Sequence, residues 1–201
     1  VLRSLARNIS TSVSNSTIEG DVKNNFDDDI SRPTLTDYLN TLEKLFVIEN
    51  VNATNLNFRS KYALRTKSKK YFVDPSIATA ILEITPNDLI MDLNTFGFMF
   101  ESLCMRDLKI YTQSYGGDIT FYRDEKDFEV DAIFRTSSGK WGAIEIKLGA
   151  GYIDEAANNL LKFKERVDIE KCGEPAFLAV LTGAKYSYKR DDGVYVINPA
   201  L

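Results

Sequence analysis

The stretch Phe128–Gly149, FEVDAIFRTSSGKWGAIEIKLG, limits the possible folds of this chain more than any other segment. Two apolar runs of alternating polarity flank a Thr-Ser-Ser-Gly turn, the pattern of a β-hairpin. Side chains alternate with period two along a strand. Phe128, Val130, Ala132 and Phe134 therefore share one face of the first strand, and Glu129 and Asp131 the other. On the second strand Gly142, Ile144 and Ile146 face one way, and Ala143, Glu145 and Lys147 the other. A register that joins the acidic faces brings Asp131, Glu145 and Lys147 into one small volume. Two carboxylates and an ammonium on one sheet face suit a divalent metal with an adjacent proton-handling group. The bland alternative for Glu145 and Lys147 is a solvated charge pair, and for Asp131 a structural partner of Arg123.

Composition removes many other chemistries. The chain has no histidine, which excludes Ser-His-Asp and Cys-His catalysis and His-based zinc sites. It has no G-x-x-x-x-G-K-[S/T] phosphate loop. Cys104 and Cys172 lack metal-ligand spacing, and two lone thiols suit a reducing cytoplasm. Neither a bilayer-spanning run nor a signal-peptide pattern is read, so a cytoplasmic location without a membrane partner is expected. A chain that opens on Val1 is expected to be a segment of a longer polypeptide.

The net charge of −4 is unevenly placed. Residues 1–73 carry 11 Lys and Arg against 8 Asp and Glu, and the remainder carries 14 against 21. This asymmetry suggests two modules, the first more compatible with a phosphate backbone. Helical spacing predicts a first helix over 2–14, through Leu2, Leu5, Ile9 and Val13. A second is expected from Ser16, burying Ile18, Val22 and Phe26, and a third from the Ser31 cap and Pro33. Val47–Val51 and Tyr71–Val73 read as a strand pair. Three short helices and a hairpin give a winged helix-turn-helix over 1–73, with 31–46 as recognition helix and 52–70 as wing. Arg59, Lys61, Arg65, Lys67, Lys69 and Lys70 crowd that wing without an acidic neighbour, as a phosphate-contacting loop would. The alternative is a packing module with a solvated basic loop.

Residues 74–201 read as short helices around Ile77–Ile84 and Leu89, then a helix over 95–111 with Glu101 beside its apolar stripe. Strands at 119–123, 128–134 and 141–147 follow, then a helix over 153–167, a buried strand over 176–181 and a last strand at 194–197. The fold class expected is α/β, with a mixed central sheet covered by helices on both faces.

Asp131, thirteen intervening residues, then Glu145-Ile146-Lys147, all after a helix bearing Glu101, resembles the PD-(D/E)xK nuclease superfamily with its restriction-endonuclease-like fold. Tyr71-Phe72-Val73-Asp74, Phe100-Glu101, Phe121-Tyr122-Arg123, Glu129-Val130-Asp131 and Ile144-Glu145-Ile146-Lys147 recur in this order in one prokaryotic family. The chain resembles the C-terminal region of AAA-type P-loop ATPases that carry a winged helix and then a nuclease-like domain. One departure is that Glu129-Val130 precedes Asp131, where the superfamily pattern often has a proline. The resemblance implies Asp131 and Glu145 as metal ligands, with the Ile146 carbonyl as a third oxygen and Glu101 reaching the metal directly or through water. It implies Mg²⁺ or Mn²⁺ as cofactor and Lys147 as the group that orients a water or stabilises the transition state. Arg123 is expected to contact a phosphate or hold Glu101. ATP would be used only by a domain upstream of Val1. The implied partners are nucleic acid and that ATPase domain. The implied function is metal-dependent phosphodiester hydrolysis; the alternative is a non-catalytic DNA- or protein-binding module with a vestigial nuclease fold. A transcription regulator acting through the winged helix alone leaves residues 74–201 unexplained.

Overall fold

A computed structural model describes residues 1–26, 30–54 and 67–200. The chain divides into two compact units, Val1–Val51 with Lys67–Leu103, and Asn52–Thr66 with Cys104–Leu201.

The first unit holds helices α1 (Leu2–Arg7), α2 (Asn15–Phe26) and α3 (Arg32–Lys44). A strand pair follows, β1 (Ile48–Val51) and β2 (Lys69–Phe72), antiparallel with Ile48 opposite Phe72. Then come α4 (Pro75–Leu82), α5 (Pro86–Met91) and the first half of α6 (Leu93–Ser114). The helix expected over 2–14 ends instead at Arg7, because Ser10 takes a left-handed φ of 63° that an α-helix does not accommodate. Ile9 and Val13 are still buried, so the apolar spacing reported burial but not helical continuity. The second helix is capped by Ser14 rather than Ser16, since the Thr17 N–H donates to the Ser14 hydroxyl at 3.1 Å. Ser31 caps α3 as expected, accepting from the Thr34 N–H with Pro33 in the first turn. Asp74 caps α4, and Thr85 with Asp88 forms a capping box on α5. Ile18, Leu35, Ile48 and Phe72 lie in the core that these elements enclose.

The second unit is built on a six-stranded mixed sheet. Its strands are β3 (Gly117–Arg123), β4 (Glu129–Thr136), β5 (Trp141–Lys147), β6 (Phe177–Thr182), β7 (Tyr188–Lys189) and β8 (Tyr195–Ile197). They stand in the order β3-β4-β5-β6-β8-β7. β3, β4 and β5 form an antiparallel meander, while β5, β6 and β8 are mutually parallel. A parallel neighbour requires a crossover. The chain makes it between β5 and β6 through α7 (Ile153–Arg166), with the short α8 (Ile169–Cys172) before β6. α7 buries Ala156, Ala157, Leu160 and Phe163 on one stripe, against Trp141, Ala143 and Val180 of the sheet. Burial of β5 is continuous from Trp141 to Ile146, between β4 and β6 with α7 packed on one face. Two glycines allow close packing. A Cβ on Gly142 would meet the Phe177 ring at 2.6 Å, and one on Gly117 the Arg135 carbonyl at 2.7 Å. No helix is long and apolar enough to cross a membrane among the described residues.

Candidate functional site

The candidate cluster lies where β4 and β5 run together beneath α7. Ala132 pairs with Ile144, so one further step of the antiparallel register sets Asp131 beside Glu145. The Ile146 N–H, which would otherwise continue the ladder, donates to Asp131 Oδ2 at 2.8 Å. Lys147 Nζ donates to the same oxygen at 3.2 Å and reaches Glu145 Oε2 at 2.8 Å. One ammonium thus bridges two carboxylates on the sheet face shared with α7.

Burial sets the two acids apart from surface charges. Glu145 is 2% exposed and Asp131 9%, which removes the solvated-pair reading for Glu145. An isolated charge at such a position is costly unless paired and hydrogen-bonded. Among the described contacts one cation, Lys147, bridges both acids. Burial first, then repulsion from Asp131, pushes the Glu145 carboxyl up to about 8, against the opposing pull of Lys147 and Asn159. Burial alone would lower Lys147, but Asp131 and Glu145 outweigh it and hold the ammonium protonated, well above its usual range. The Glu145 carboxyl therefore holds its proton near neutrality while Lys147 stays charged.

A residue absent from the sequence reading completes the arrangement. Asn159, on α7, donates to Glu145 Oε1 at 2.6 Å and to the Glu129 carbonyl at 2.9 Å. Its signal was its position. It lies three residues after Ala156 and four before Phe163, on the buried stripe of a helix where an amide requires partners. Glu129, Asp131, Glu145, Lys147, Asn159 and Lys162 line an open cleft of about 610 Å³. Thr182 lies opposite Lys147 on β6, and its hydroxyl is fully buried with no hydrogen-bond partner among the described residues.

The other predicted positions fall elsewhere. Glu101 belongs to the first unit, where it accepts from Lys69 Nζ at 3.2 Å and from the Tyr71 hydroxyl at 2.9 Å. Lys69 is 4% exposed, which corrects its expected place on a phosphate-facing wing: its ammonium is turned inward onto Glu101. Arg123 pairs with Asp127 at 2.7 Å and Glu129 at 3.5 Å. Arg59, Lys61 and Arg65 lie outside the described residues, whereas Lys67 and Lys70 border a hollow of the first unit. Among the described residues no group of three or more His, Cys, Asp or Glu side chains gathers as a metal cage.

The fold and site define an α/β domain with a buried acid–lysine cluster on one face of a mixed sheet. The chain belongs to the family of the domain of unknown function DUF4143, which matches residues 96–200. Residues 1–88 match a second domain of unknown function, DUF8612. DUF4143 domains are often found at the C-terminus of AAA-type ATPases. Searches of the curated proteins and of the solved structures gave no match.

Proposed function

We propose that the second unit is a metal-dependent phosphodiester hydrolase domain with a restriction-endonuclease-like core, working with an ATPase whose nucleic-acid-handling end includes the first unit as a winged helix. The observation that carries this reading is the buried Asp131–Glu145–Lys147 cluster opening onto a cleft. A helix, a three-stranded meander, a crossover helix and a parallel strand are in keeping with that core, and three helices before an antiparallel pair are in keeping with a winged helix.

The donor set fits a hard divalent cation. Asp131 and Glu145 supply carboxylate oxygens, and N–H and C=O of one strand residue point the same way, so the Ile146 carbonyl faces the Asp131 side. The buried Thr182 hydroxyl beside Lys147, without a hydrogen-bond partner among the described residues, is a further polar group at the site. Mg²⁺ or Mn²⁺ held there would neutralise charge on a phosphate oxygen and make a water more acidic. Lys147 keeps its proton and so acts as an electrostatic and hydrogen-bonding group, orienting a water or contacting a phosphate oxygen. Asn159 fixes the Glu145 carboxylate, and Lys162 offers a cation at the cleft wall. Glu101, engaged by Lys69 and Tyr71, is given no part.

A second reading, a non-catalytic module attached to an ATPase, is favoured by the charge of the cleft. Glu129, Asp131, Glu145 and Glu155 line it against Lys147 and Lys162, a poor surface for a polyanion without a metal. Cleavage of labelled single-stranded, duplex and branched DNA with Mn²⁺ or Mg²⁺ separates the two. Wild type should cut, while Asp131→Asn and Lys147→Met should not. Intact substrate under all conditions, from protein that binds DNA, would overturn the hydrolase reading in favour of the second.

A further inference from the structure

The first unit contains a polar hollow of about 410 Å³ whose wall carries Ser14, Ser16, Arg32, Lys67, Ser68 and Lys70, three cations and three hydroxyls without a carboxylate. We propose that this hollow binds a phosphate group of a nucleic-acid backbone. It is independent of the reading given to Asp131 and Glu145.

Charge and desolvation carry the assignment. Lys70 is half-buried, and its ammonium donates to a neutral amide oxygen, Asn50 Oδ1, at 2.9 Å. That amide in turn donates to Glu43 at 2.9 Å, so the acid acts on Lys70 only from one residue away. Burial therefore outweighs Glu43 and lowers the Lys70 pKa, as for a cation short of a counter-charge. Arg32 is held at the rim by Glu19 through Nε at 3.2 Å, which leaves its terminal guanidinium nitrogens to take up an anion. Lys67 is exposed on the same wall. Ser14 and Ser16 bond each other at 2.7 Å, and a hydroxyl pair turns over to donate when an acceptor arrives. Cations and hydroxyls converging on one concave surface match the tetrahedral oxygens of phosphate. A phosphodiester is favoured over a free phosphate because the hollow is open and its cations are spread over two segments of chain, the start of α3 and β2 with its entry, while the entry to α2 adds hydroxyls.

The test uses the full chain in EDTA, so that cleavage cannot intervene and failure of the hydrolase reading leaves the result intact. Anisotropy of labelled single-stranded and duplex DNA is followed against salt for wild type, Arg32→Gln with Lys67→Gln, Lys70→Gln, and the control Lys185→Gln in the second unit. The double variant, at two exposed positions that leave the fold undisturbed, should lose about tenfold in affinity and about one unit of salt slope, uniformly across sequences. Lys185→Gln should be unchanged. Inorganic phosphate at millimolar concentration should compete with DNA on wild type. Phosphate that raises the melting temperature through Arg32 and Lys67, with DNA affinity unaffected by their loss, would overturn the nucleic-acid assignment and leave a free-phosphate site. Equal losses in the double variant and the control, or neither phosphate effect nor DNA loss, would overturn the site itself.

Discussion

Replacing Glu145 by Gln should make the metal-free protein more stable at alkaline pH. Glu145 is 2% exposed and its carboxyl is pushed from an ordinary 4.5 to about 8 by burial and by Asp131. The folded state thus binds this proton more tightly than the unfolded chain, and between pH 4.5 and 8 its stability must fall as pH rises. A rise of that size corresponds to something on the order of 5 kcal/mol lost across the window, a large share of a typical domain's stability. Gln keeps the oxygen that accepts from Asn159 and cannot ionise. The variant should match wild type near pH 4.5 and exceed it increasingly toward pH 8. Trp141 is the sole tryptophan and lies fully buried in the core of the second unit, so its fluorescence during urea unfolding reports the relevant domain. Adding Mg²⁺ or Mn²⁺ at pH 8 should restore wild type, because a metal favours the carboxylate form, and leave the Gln variant unmoved. Parallel stability curves for the two proteins from pH 5 to pH 8.5 in EDTA would refute the reasoning.

Asn159→Leu removes both hydrogen bonds of the amide and should weaken Mn²⁺ binding by about 10- to 100-fold, read by calorimetry, while Asn159→Gln recovers part of it. Gly142→Ala drives a methyl group to within 2.6 Å of the Phe177 ring, which also stacks on Phe134, and should destabilise the second unit by about 1–3 kcal/mol in the same urea assay.

Period-two alternation in residues 128–147 was enough to place Asp131, Glu145 and Lys147 on one face, because side chains alternate strictly along a strand and the short turn limits the register. The stripe of α7 was legible from its helical spacing, but on α6 the burial falls on Met99, Cys104 and Met105 while Leu103 is exposed. What remained hidden depended on side chains reaching between elements. Asn159 serves the site from a different element, fourteen residues after Glu145, and no local pattern announces that an amide will meet a carboxylate there. The inward turn of Lys69 was invisible because a run of basic residues looks solvated until a buried acid is found for one of them. The two-residue strand β7 is too short to alternate, and the left-handed turn at Ser10 interrupts a stripe whose apolar residues stay buried.

The sheet of the second unit would have a bare rim along β3, but the chain does not leave it so. Just after β1, Asn52–Thr54 run beside that strand: Ala53 forms a parallel bridge to Phe121, whose N–H donates to the Asn52 carbonyl at 3.1 Å and whose carbonyl accepts from Thr54 at 2.6 Å. The opposite rim is β7, only two residues long and bearing Lys189. One rim is occupied and the other curtailed, so neither offers an extended row of open amides to a second copy of the chain. The segment that links the two units in sequence therefore also acts as a guard against sheet-to-sheet association. Shortening it, or placing proline at Thr54, would be felt first as a loss of solubility, before any loss of the fold.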